Sequence, residues 1–166
     1  MQIVENKIII IKMRRLIIII ALFLAAFTGC NSVDEPYSKE FTHTGCAAGT
    51  RAGLEDEPSL LILKYVDGNL LVTRTNALMN CALKEDGLVC EVDVEGDVIH
   101  YKVYEKNGPK ANCVCLVEKM SSVVTGLKEG KEYTFDYNCP YGYAPFSFTF
   151  ENGLNSIIDM ATLSPN

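Results

Sequence analysis

The sequence predicts an all-β domain, an antiparallel sandwich of about seven strands with a possible short C-terminal helix. Three observations predict it. Short apolar runs with period-two alternation recur between residues 59 and 152. Turn residues such as Asp67-Gly68 and Gly96-Asp97 break those runs at regular spacing, and no long stretch has the 3.6-residue period of an amphipathic helix. Alternation carries the argument because successive side chains of a strand point to opposite faces, one buried and one wet.

Residues 1–29 read as a signal peptide. Lys12, Arg14 and Arg15 precede an uncharged run, Leu16 to Gly29, which closes on Thr28-Gly29 directly before Cys30. That is the order of a basic region, an apolar region and small residues at a cleavage site. The run falls short of the ~20 apolar residues that a spanning helix needs, and polar "NSVDEP" follows at once. Met13 would open a signal of ordinary length, so it is the expected start of translation.

The segment "FTGC" resembles the bacterial lipobox, which implies that Cys30 receives a diacylglycerol and becomes the mature N-terminus. Several acyl chains, at about 0.8 kcal/mol per buried CH₂, hold a protein stably where one chain is marginal. Asn31 after the cysteine resembles lipoproteins sent on to the outer membrane. Asp34-Glu35 resembles the acidic export signal of surface lipoproteins in some Gram-negative anaerobes.

Residues 30–58 are rich in Ser, Thr, Gly, Asp and Glu and read as a tether, with Cys46 inside it. The domain, residues 59–152, begins with "LLILKYV" and "LLVTRTN", joined at Asp67-Gly68-Asn69, a hairpin signal. "VCEVDVEGDVIHYKVYEK" repeats the device. Cys90, Val92 and Val94 share one face with Glu91, Asp93 and Glu95 on the other; Ile99, Tyr101 and Val103 then alternate with His100, Lys102 and Tyr104. "CVCLVE", "SSVVTGL", "EYTFDY" and "FSFTF" supply the remaining strands. In the tail, residues 153–166, Leu154, Ile157, Ile158 and Ala161 have helical spacing, and a coil lying on the sheet is the competing reading.

Within "GLKEGKEYTF", Leu127, Gly130 and Tyr133 resemble the approach to the penultimate strand in fibronectin type III and related immunoglobulin-like domains. The resemblance implies that the tyrosine hydroxyl bonds back to the loop backbone. From Leu60 to Phe150, Asn80-Cys81, Cys113-Val114-Cys115, Gly126-Leu127 and Tyr133 together resemble small cysteine-bearing β-sandwich lipoproteins of Gram-negative gut anaerobes, a group with no established activity.

The six cysteines after Cys30 are Cys46, Cys81, Cys90, Cys113, Cys115 and Cys139, all read as disulfide candidates in a secreted chain. Six allow 15 pairings. Cys113 and Cys115, two apart on a strand, lie roughly 6.5 Å apart at Cα, near the upper limit for a bridge, so each is expected to take its own partner. Cys81 is expected to join one of them, as core strands of opposite sheets would allow. The alternative makes Cys113 and Cys115 a soft thiolate site for copper or zinc, or a redox pair.

The chain has 15 basic and 21 acidic residues; residues 1–29 hold four basic and one acidic, so the remainder carries 11 and 20, a net −9. Such a surface disfavours nucleic acid. His43 and His100 lack a triad spacing, and no nucleophile elbow, phosphate loop or calcium loop occurs. No catalytic residue or cofactor is expected. The best binding candidates are Tyr141 and Tyr143 in the loop "NCPYGYAPF", where two amphipathic rings suit a protein or glycan surface, unless they fold back as a lid on the core. The function expected is therefore a non-enzymatic binding or interaction module at the outer membrane, periplasmic or surface-exposed. Its expected partners are the membrane, through the lipid on Cys30, and an envelope protein or glycan.

Overall fold

The computed structural model describes residues 38–47, 58–84, 86–108 and 112–163. The signal peptide of residues 1–29, the start at Met13 and the anchor Cys30 lie outside the described residues. Among the described residues, ten strands form two sheets. They are β1 (Ser38–His43), β2 (Cys46–Ala47), β3 (Leu60–Val66), β4 (Asn69–Asn80), β5 (Leu88–Glu95), β6 (Val98–Glu105), β7 (Val114–Val124), β8 (Lys131–Asn138), β9 (Phe146–Phe150) and β10 (Asn155–Asp159). The first sheet runs β1-β7-β4-β3-β10, with β2 also on β7, and the second runs β5-β6-β8-β9.

The expected alternation fills the space between the sheets. Leu61, Leu63, Leu70 and Val72 face Ile99, Tyr101, Val103, Tyr133, Phe135, Tyr137, Phe148 and Phe150, all buried. Burying one large apolar side chain is worth about 1.5–3 kcal/mol, so this face sets the register of every strand that carries it. Both hairpins close in two residues: Val66 pairs with Asn69 across Asp67-Gly68, and Glu95 pairs with Val98 across Gly96-Asp97. Asp67 and Gly68 have φ of 49° and 80°, the left-handed pair that a type I′ turn demands.

The strand count differs from the expected seven through three additions, β1, β2 and β10, and one merger. Residues 38–47, read as tether, contribute β1 and β2 along β7. "CVCLVE" and "SSVVTGL" are not two strands but one, β7. The tail supplies β10 on β3, and among its described residues the helical content is one 3-10 turn, Met160–Thr162. Period two outcompetes the helical spacing there because the unpaired edge of β3 accepts a strand. Ile157 then points outward at 61% exposure while Met160 is buried.

The sandwich is mixed. β6 and β8 pair in parallel, Val98 with Thr134 through Lys102 with Asn138. The chain leaves β6 for β7 in the other sheet and returns, the crossover that parallel neighbours require. The long strands β4 and β7 also change face together. β4 turns Leu70, Val72 and Arg74 inward, then Ala77 and Met79; β7 turns Cys115 and Val117 inward, then Met120, Ser122 and Val124. Their register is continuous through Thr75–Lys119 and Ala77–Val117. Asn76 makes the turn with φ 51°, held by its Nδ2 donating to the Pro58 carbonyl at 3.0 Å.

Candidate functional site

Both disulfides lie at one end of β4 and β7. Cys81 follows β4 and Cys113 precedes β7, opposite each other next to the Asn80–Val114 pair, and they are bonded with Cα atoms 5.5 Å apart. Cys46 on β2 is bonded to the buried Cys115 across the β2–β7 pair, also at 5.5 Å. Cys113 and Cys115 therefore take separate partners, as their spacing requires. Cys81 does join one of them, but across β4 and β7, neighbours in one sheet, and not between core strands of opposite sheets. With both sulfurs bonded, Cys113 and Cys115 present no thiolate to copper or zinc. Among the described residues no group of three or more His, Cys, Asp or Glu is placed to hold a metal ion.

Cys90 and Cys139, counted with the disulfide candidates, are free. The register explains it. Cys90 sits opposite Val103, and continuing Lys102–Asn138 by one residue places Cys139 on the other side of Val103. Two strand spacings put their Cα atoms roughly 10 Å apart, beyond the ~7 Å that a disulfide spans. Burial pushes the Cys139 thiol up to about 11 and raises that of Cys90, so both stay protonated and weakly nucleophilic at neutral pH. Cys90 accepts from the Ser38 hydroxyl at 3.9 Å, beside the 2.7 Å bond between the Tyr101 and Ser122 hydroxyls that joins the two sheets.

The loop after β8 is tightly laced. Gly142 bridges to Asn138, the Cys139 N–H donates to the Tyr141 carbonyl at 2.9 Å, and the Tyr143 N–H donates to the Tyr137 carbonyl at 3.0 Å. This lacing separates the two candidate rings. Tyr141 stands out at 69% exposure, while Tyr143 is half-buried with its ring 5.8 Å from that of Tyr137. One is a surface ring and the other a lid. Tyr133, at the start of β8, accepts from the Lys128 backbone N–H at 2.9 Å, the back-bond that its sequence context implied.

No family model, curated protein or solved structure matches this chain. Its site must therefore be read from its own geometry. A cleft of about 170 Å³ opens between the β4–β5 and β6–β7 loops, lined by residues that include Leu83, Asp86, Glu105 and Lys106. It is smaller than the ~300 Å³ at which small-molecule pockets begin. On the outer face of the second sheet His100 Nδ1 lies 2.8 Å from Asp136 Oδ2, and the Tyr104 hydroxyl donates to Glu91. Sequence spacing missed the first pair, because 36 residues separate it and only the parallel β6–β8 register brings it together. His43, on β1, has its Nδ1 3.0 Å from the Thr44 carbonyl oxygen.

Proposed function

We propose that this chain is a lipid-anchored cell-envelope lipoprotein, held at the outer membrane through acylated Cys30, whose β-sandwich is a non-catalytic module for binding an envelope protein or glycan. The observation that carries the binding reading is Tyr141, a large amphipathic ring exposed on a loop that backbone hydrogen bonds hold in place. A ring held out in this way contributes contact area with little rotamer entropy to lose on binding. The anchor reading rests on "FTGC" after an uncharged run too short to span a bilayer. The acidic mature chain accords with a partner that is neither nucleic acid nor anionic lipid headgroup.

The experiment has two arms. Cys30→Ser should release the chain from the membrane fraction and abolish metabolic lipid labelling; unchanged partitioning and labelling would remove the anchor. Wild type and Tyr141→Ala are then compared in cross-linking pull-downs from envelopes and on a glycan array. Loss of a partner in Tyr141→Ala, with the melting curve unchanged, supports the surface. Identical capture by the two chains overturns it.

A further inference from the structure

Arg74 is the unusual residue of the interior. It lies on β4, faces inward and is 6% exposed, with its guanidinium carbon 6.0 Å from the centre of the Tyr137 ring. Its Nε and Nη1 have no acceptor, and the still more deeply buried Tyr137 hydroxyl has no partner but the Cys139 sulfur. The ion pairs of the described residues, His100 with Asp136 and Lys131 with Asp97, do not include it. Arginine does not give up its proton inside a protein, and an uncompensated buried charge is strongly unfavourable. The neighbouring groups are weak acids. Cys139 is 0% exposed, and burial holds its thiol protonated although the Arg74 charge and the Tyr137 hydroxyl both favour the thiolate. A guanidinium, a phenol and a thiol thus meet in one place, all of them hydrogen-bond donors, with the negative charge missing.

We propose that Arg74, Tyr137 and Cys139 line an interior site, capped by Tyr143, that takes a small monovalent anion of halide or carboxylate size. The guanidinium supplies the charge, the Tyr137 hydroxyl a second donor, and the Cys139 thiol a weak third. Tyr143 packs against Tyr137 with ring centres 5.8 Å apart and belongs to the exposed loop, so opening that loop is the route inward. The site depends neither on the anchor at Cys30 nor on the surface at Tyr141.

The test melts the full-length chain in non-ionic detergent while millimolar bromide, chloride or formate replaces bulky gluconate at constant ionic strength. An anion that binds only the folded chain should raise Tm by about 4 °C for each tenfold rise in its concentration above Kd. Arg74→Met should abolish that rise. Response to halides alone identifies a free inorganic ion, and response to formate as well identifies the carboxylate of a ligand. Equal melting in all salts, or an equal rise in Arg74→Met, overturns the proposal. Should Arg74→Met fail to fold, anomalous scattering from bromide-soaked wild-type crystals decides. An ion within hydrogen-bond distance of Arg74 supports the site, and ions only at the surface overturn it.

Discussion

Tyr141 and Tyr143 are two residues apart, yet one contributes to the surface and the other to the fold. Tyr141→Ala should change stability by no more than about 0.5 kcal/mol, as exposed substitutions do. Tyr143→Ala removes a half-buried ring from Tyr137 and should cost about 1–3 kcal/mol, less than truncation of a fully packed aromatic. Urea melts of the two single variants check the ordering, and equal losses would mean that both rings share one environment. Cys139 offers a second test at the same scale. Its thiol titrates at about 11 in the fold against 9.0 ordinarily, because burial penalises the thiolate. The unfolded chain therefore releases this proton first as pH rises. The stabilisation is complete below pH 9 and lost progressively towards pH 11, a change on the order of 2–3 kcal/mol. Tyr101 and Tyr137, also raised by burial, steepen the alkaline loss. Cys139→Val lacks the titrating group, so its stability should fall less steeply over that window; parallel curves would show that the thiol is not buried as described.

Among the elements, the strands of the second sheet were the most legible in the sequence, because each buries one face against a dry core and must alternate. Val92 and Val94, Ile99 to Val103, Tyr133 to Tyr137 and Phe146 to Phe150 state that face residue by residue. β1 was illegible for the opposite reason. "SKEFTH" has a single large apolar residue, and it is a strand because β7 offers it an edge, from Ser38–Val124 to His43–Met120. β10 was ambiguous, since Ile157 and Ile158 suit a helical stripe as well as the two faces of a strand. Arg74 follows Leu70 and Val72 onto the inward face by plain alternation, two residues before Asn76 resets it, but no sequence signal singled it out. The disulfides show what the added strands contribute. Cys46–Cys115 closes a loop of 69 residues and Cys81–Cys113 one of 32. Taken singly these would stabilise by about 4.4 and about 3.7 kcal/mol on chain entropy, but the second lies inside the first and shortens it to about 37 residues, so in the native chain entropy barely separates them. Replacing Cys46 and Cys115 by Ala should still lower the urea midpoint more than replacing Cys81 and Cys113, because it also frees β2 from β7. The reverse order would mean that β2 contributes nothing once its bridge is removed.

For the whole molecule, an acylated Cys30 would divide the seven cysteines into three chemical states, and one measurement counts them. Four are joined in two disulfides, and Cys90 and Cys139 are thiols kept apart by β6. Cys30, if acylated, is a thioether and invisible to thiol reagents. The chain extracted from membranes and denatured without reductant should thus release two thiols. Before denaturation the reagent should label Cys139 far more slowly than Cys90, since Cys139 is 0% exposed and Cys90 only partly covered. Three thiols would place an unmodified Cys30 beside them and sink the lipid anchor while leaving the fold untouched. None, with Cys30→Ser also giving none, would require Cys90 and Cys139 to be bridged. Their ~10 Å separation across β6 forbids that in any register, so a bridge would require β6 to leave its place between β5 and β8. That rearrangement would unpair Val98–Lys102 from β8 and strip Ile99, Tyr101 and Val103 from the core. The count therefore tests the anchor and the strand order of the second sheet in one titration, because each failure leaves a different number.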